Sequence, residues 1–174
     1  MEVYHKGSRM FNKSIAIFML LCSTFGYLPT AAAGTPINAT IAIPSLKIQS
    51  AILELPLTQN GWDTSNLGNR VGHLGETAWL GEPGNIVLGG HLEVNWRNSI
   101  FSKLPNIEIG ARITLTDGNT VQEYQVVETR IVDVTDLSVV YFTPENRLTL
   151  LTCFNYNSAQ KRYTQRFVAI AVPV

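Results

Sequence analysis

Cysteine is scarce in this chain. Two thiols occur in 174 residues, Cys22 and Cys153, too few for a disulfide framework. An excess of one charge is also lacking. Thirteen Lys plus Arg balance 13 Asp plus Glu, so neither a nucleic-acid-binding stripe nor an acidic tail is present. Long apolar runs are missing as well. The stretch from Ile15 to Leu28 covers 14 residues, whereas a membrane-spanning helix needs roughly 20. No glycine-rich phosphate motif appears. One cysteine and two separated histidines of the main domain give no metal-ligand spacing. No metal or other cofactor is expected.

The N-terminal stretch nevertheless has a recognisable layout. His5, Lys6, Arg9 and Lys13 form a basic flank, the apolar segment follows, and Thr30-Ala31-Ala32-Ala33-Gly34 supplies small residues. This is the order of an export signal. Two outcomes stay open: a cleaved signal peptide over residues 1–34, or an uncleaved anchor extended by Ala31–Ala33. Residues 35–174 then make one domain of about 140 residues, enough to bury a sizeable core. Cys22 lies inside the export segment. Cys153 would therefore reach an oxidising space without a partner, although exported domains usually pair their cysteines or omit them. Such a thiol is either buried filler or a nucleophile.

Gly34–Ala39 reads as a linker, and β signals dominate beyond it. Thr40–Ile43, Leu46–Ile48 and Ala51–Leu55 are short runs, the first two separated by Pro44. Asn85–Leu88 is a compact apolar strand ending at Gly89-Gly90. Ser99–Leu104 has helical spacing and stops at Pro105. Arg112–Leu115 alternates, Asp117-Gly118 signals a hairpin turn, and Val121–Val134 is a long β-rich run. Asp136–Val140 reads as a short helix or turn. Arg147–Thr152 and Phe167–Val172 are the last strands, with Phe154–Gln165 as a polar loop between them. About eight short strands point to an all-β domain, a sandwich or a closed barrel.

Three residues at expected strand boundaries carry chemistry: His91, Cys153 and Arg166. A thiol attacks a carbonyl as the thiolate, which a neighbouring cation stabilises. His91 supplies an imidazolium that also protonates a leaving amine. Arg166 is a permanent forked cation suited to an oxyanion or a peptide backbone. Taken singly, each has a bland reading: core filler, turn histidine, surface strand residue. His73 is the alternative base, ranked lower because no compact apolar strand leads into it. Lys161 and Arg162 read as solvated loop charges.

The local sequences around these residues resemble those of the sortase family, cysteine transpeptidases of bacterial surfaces. Thr149-Leu150-Leu151-Thr152-Cys153 is similar to the family's Thr-Leu-x-Thr-Cys motif. Gly84-Asn85-Ile86-Val87-Leu88-Gly89-Gly90-His91 resembles its strand-to-histidine segment, and Arg166-Phe167-Val168 its arginine-led final strand. The order of His, Cys and Arg agrees too, and the likeness runs from about Ile41 to Val172. The resemblance implies an eight-stranded β-barrel with short helices. It implies Cys153 as nucleophile, His91 as acid/base and Arg166 as oxyanion or substrate clamp, with Leu151 and Thr152 lining the peptide groove. It further implies cleavage of a C-terminal Leu-Pro-x-Thr-Gly-like motif on surface proteins through a thioacyl intermediate. The acyl group would pass to an amine of a cell-wall precursor or a pilin lysine. The place of action would be extracytoplasmic, at the cell surface, membrane-anchored or secreted. A hydrolytic cysteine peptidase on the same fold and a non-catalytic peptide- or glycan-binding barrel are the rivals. Leu55-Pro56-Leu57-Thr58-Gln59 looks like a sorting motif itself, but Pro56 is better read as a strand end.

Overall fold

The computed structural model describes residues 35–174. The export segment and Cys22 lie outside the described residues. Eight strands close into a barrel: β1 (Thr35–Ile43), β2 (Ile48–Leu55), β3 (Val71–Leu74), β4 (Asn85–Gly90), β5 (Arg112–Asp117), β6 (Thr120–Asp133), β7 (Arg147–Asn157) and β8 (Arg162–Pro173). Around the barrel the order is β1-β2-β3-β4-β7-β8-β6-β5. The β2–β3 and β4–β7 pairs are parallel and the rest antiparallel. The sandwich is thereby excluded. Closure leaves no sheet edge around the barrel body.

Several boundaries differ from the sequence reading. The expected linker Gly34–Ala39 belongs largely to β1, which pairs with β2 and β5. Leu46–Ile48 is not one strand, because Pro44 opens a 3-10 turn over Pro44–Leu46 and β2 begins after it. Proline fixes its own φ and lacks the N–H a ladder needs. The expected helix Ser99–Leu104 is a series of turns ending in a 3-10 turn, Leu104–Asn106, with Pro105 inside it. Val71–Leu74, which the sequence reading passed over, is a fully buried strand. The Asp117-Gly118 signal is the β5–β6 turn, with Gly118 in the left-handed region at φ 55°. The pseudo-sorting stretch closes β2 at Leu55 and enters a small hairpin, Leu57–Thr58 with Gly61–Trp62.

Alternation of side chains builds the layers. Ile41, Ile43, Ile113, Leu115, Tyr124, Val126, Leu148, Leu150 and Ala169 point inward and form the main core with Phe101 and Leu104. Fully burying a side chain the size of Phe101 contributes about 1.5–3 kcal/mol. Two smaller clusters lie on the outer face. Leu53, Leu55, Leu67, Leu74 and Val87 pack under the β2–β3 connection. Val132, Val139, Val168 and Ile170 pack under the β6–β7 connection. The second cluster depends on a bulge in β6, where the register shifts between Val126 and Glu128. One extra residue reverses the alternation. Val126 faces inward beside Ala171, whereas Val132 faces outward beside Arg166.

Candidate active site

The Cys motif sits on β7 and makes two distinct uses of alternation. Leu148, Leu150 and Thr152 share one face, Leu151 and Cys153 the other. Leu151 is half-buried and packs against both outer clusters. Cys153 is half-buried on that same outer face and is a free thiol. Thr152 is only 1 % exposed, and its hydroxyl donates to the Gly90 carbonyl at 2.8 Å. A side chain so enclosed does not open on a groove. It ties β7 to the end of β4.

Phe154–Gln165 is not a loop. β7 continues to Asn157 and β8 starts at Arg162, leaving only a tight connection between them. Cys153 and Arg166 therefore lie within paired strands rather than at their ends. They are register partners, directly opposite one another in the antiparallel ladder. Opposite residues in such a ladder present their side chains to the same face a few ångströms apart. Arg166 is half-buried, and one guanidinium N–H donates to the Gln165 carbonyl at 3.0 Å. No carboxylate pairs with it among the described residues, so its remaining donors are available.

β4 delivers the third residue. In the parallel ladder Leu151 stands level with Gly89, the last pair of that ladder, and His91 follows directly after the end of β4. The Gly-Gly pair before His91 has a steric reason. A Cβ on Gly90 would stand 2.6 Å from a ring carbon of Phe101, so only glycine lets that core ring close against the strand. The Phe101 N–H then donates to the His91 carbonyl at 3.1 Å. His91 is thus held from both sides, through Gly90 by Thr152 and through its own carbonyl by Phe101. Burial holds the His91 imidazole below its ordinary pKa of 6.5, because a less hydrated site disfavours the charged ring.

The histidine ranked second occupies a different environment. His73 is 4 % exposed on β3. Its Nδ1 meets Glu54 Oε2 at 2.7 Å, its Nε2 meets the Ala78 carbonyl at 3.0 Å, and its ring lies 4.6 Å from that of Trp79. Both nitrogens are engaged, and the ring braces the barrel beside Leu88 on β4. Lys161 and Arg162 are exposed near the tip of the β7–β8 hairpin. Among the described residues, no three His, Cys, Asp or Glu groups converge as a metal site.

Two groups near the thiol escaped the sequence reading. Tyr163 donates its phenol to Glu93 Oε2 at 2.9 Å. Burial pushes the phenol up to about 12, helped by Glu93, by the charge of Cys153 and by Tyr156. Tyr156 and Tyr163 are register partners. Their place inside an otherwise polar stretch was the available signal, since aromatics with Thr164 favour a strand over a loop.

A cysteine and an arginine paired across two strands, with a histidine just after the end of the neighbouring strand, can be compared with known proteins. The sortase domain model matches residues 41–174. The chain belongs to the sortase family. Sortase A of Listeria monocytogenes is 30 % identical over 131 residues, covering 75 % of this chain and 54 % of that protein. Sortase D of Bacillus subtilis is 33 % identical over 122 residues, covering 68 % and 59 %. The chain thus spans somewhat over half the length of these relatives. Among solved structures, Listeria monocytogenes sortase A superposes with a TM-score of 0.67 at 29 % identity, covering 80 % of this chain and 88 % of that one. A Clostridium perfringens sortase D5 transpeptidase gives 0.64 at 26 %, covering 80 % and 79 %. The eight-stranded barrel with short helical turns is therefore the sortase fold.

Proposed function

We propose that this sortase is a cysteine transpeptidase working through Cys153, His91 and Arg166. One observation carries the reading. Cys153 is the register partner of Arg166, and Thr152 beside it donates to the carbonyl of Gly90, the residue before His91.

The Cys153 thiolate attacks the scissile carbonyl of a Leu-Pro-x-Thr-Gly-like motif, and the C=O electron pair moves to oxygen. Arg166 donates to that oxyanion or to the adjoining peptide backbone. Collapse expels the leaving amine, which takes its proton from the His91 imidazolium, and a thioacyl enzyme remains. Neutral His91 then accepts a proton from the attacking amine. The second tetrahedral species collapses to a new amide and returns the thiolate. The lowered His91 pKa suits the second half-reaction, where the imidazole acts as a base. It disfavours the imidazolium partner of the thiolate at neutral pH.

The peptide groove follows the outer face beside the half-buried Leu151. Thr152 acts behind that groove as a positioning residue. The partners are surface proteins bearing a sorting motif and an amine acceptor, either a cell-wall precursor or a pilin lysine. The reaction takes place outside the cytoplasm, at the cell surface. No helix among the described residues is long and apolar enough to cross a membrane.

Incubating the protein with a fluorogenic sorting peptide, with and without an amine acceptor, tests this reading. Product carrying the amine supports transfer. Cleavage that the amine never intercepts makes the protein a hydrolytic peptidase. Peptide binding that survives Cys153→Ala, with no cleavage by the parent, leaves only a binding barrel.

A further inference from the structure

Two hairpin arms leave the barrel rim at the proposed site. One starts at His91 and is closed by Phe101 N–H donating to the His91 carbonyl and by Ser99 N–H donating to the Leu92 carbonyl. It continues as the strand pair Glu93–Val94 with Arg97–Asn98. The other is the extension of β7 and β8 beyond Cys153 and Arg166. The arms touch at two points. Tyr163 donates to Glu93 Oε2 at 2.9 Å. The Trp96 ring meets the Tyr156 ring edge-on at 6.0 Å, and Tyr156 in turn meets Tyr163 at 5.3 Å.

The turn at the tip of the first arm has an unusual backbone. Asn95 and Trp96 both have positive φ, 51° and 60°. A tight hairpin turn requires this of its two central residues, yet a bulky side chain disfavours it. Trp96 is otherwise 81 % exposed. A strained, solvent-facing indole whose ring partner is a tyrosine of the other arm indicates that the contact between arms is what the turn serves.

We propose that Glu93 and Tyr163 are positioning residues, a latch that sets the imidazole of His91 against the sulfur of Cys153. This rests on the roles assigned to those two residues above. His91 makes no side-chain hydrogen bond among the described residues, so nothing at the ring itself fixes its placement. What the structure supplies is the lie of the arm that begins at His91, and the latch closes that arm onto the one rooted at Cys153.

The test uses Tyr163→Phe, Glu93→Ala, Glu93→Gln and the Tyr163→Phe/Glu93→Ala double variant. Two rates are followed: alkylation of Cys153 by iodoacetamide at neutral pH, which needs no peptide, and kcat/KM with a sorting peptide. Tyr163→Phe and Glu93→Ala are each expected to slow both about 3- to 10-fold with the thermal midpoint near that of the parent. The double variant should be no slower than either single, because one interaction is lost. Glu93→Gln, which still offers an oxygen to the phenol, should keep more of both rates than Glu93→Ala. Parental alkylation in Tyr163→Phe, additive losses in the double variant, or losses matched by a fall in thermal midpoint would each overturn the latch. A parent that alkylates readily but never cleaves peptide refutes the transpeptidase reading and leaves the alkylation comparison intact.

Discussion

Thr152→Val separates a residue that ties the site together from one that lines its groove. Valine nearly keeps the shape, so the cavity contribution is small. The Gly90 carbonyl loses a donor at 2.8 Å next to a side chain that is 1 % exposed. Gly90 is itself only half-buried, so losing the donor costs about 0.5–1.5 kcal/mol, the net worth of an ordinary hydrogen bond. With a urea slope of roughly 2 kcal/mol/M, the unfolding midpoint should fall by about 0.25–0.75 M. The tie lies one residue from both Cys153 and His91, so part of that energy should appear in the chemical step. We expect kcat to drop about threefold, the equivalent of about 0.65 kcal/mol, with KM for the peptide near the parent value. Thr149→Val is the internal control. Thr149 is fully buried on the same strand and donates to Asn85 Oδ1 at 2.7 Å. It should lose comparable stability and spare kcat. A Thr152→Val protein with raised KM and unaltered kcat would refute the argument and return Thr152 to the peptide groove. Unchanged stability would show that the tie carries nothing.

Arg166→Lys should lower kcat/KM by about 10²–10³, the usual cost of losing an oxyanion donor, because a point charge does not reproduce the fork. Unchanged activity would remove Arg166 from the reaction. The pH–rate profile should be bell-shaped, with an acidic limb below pH 6.5. The sign follows from burial: it favours neutral His91, so protonation of the ring is completed only below its ordinary value. By the same linkage the His91 contribution to stability is present above pH 6.5 and lost on acidification through the lowered value. An acidic limb at or above 6.5 would contradict this. Gly90→Ala should destabilise the fold and depress activity together, since its Cβ would stand 2.6 Å from the Phe101 ring; overpacking of this kind costs about 1–3 kcal/mol. Parental midpoint and rate would show that the Phe101 ring moves aside freely.

Much of the barrel was legible because alternation and turn chemistry are local. Arg112–Leu115, the Asp117-Gly118 turn and the long run after it read correctly as a hairpin. Pro56 marked the end of β2. What failed depended on tertiary pairing. The stretch from Phe154 to Gln165 is polar because it projects beyond the barrel, and polarity alone resembles a loop. Its strand character comes from each arm pairing with the other. Val71–Leu74 is too short to show a period, and its glycine is explained only by the Leu55 side chain packed against it. The bulge at Val127 left no mark in the sequence, yet it turns Val132 outward beside Arg166.

The candidate site residues stood out as short motifs, and the pairing of the strands that carry them did not. His91 and Cys153 are 62 positions apart, and no local signal encodes the parallel pairing that sets β4 beside β7. Thr152, next to the thiol in sequence, faces the opposite side of the sheet and is buried there. Glu93 and Tyr163 are 70 positions apart, and neither lies in a motif.

The most direct test of the central claim is the intact mass of the protein after mixing with sorting-type peptides. The account predicts a thioester adduct equal to the acyl fragment on Cys153, absent from Cys153→Ala and released by hydroxylamine. Peptide cleavage without such an adduct, or an adduct that persists in Cys153→Ala, would contradict it.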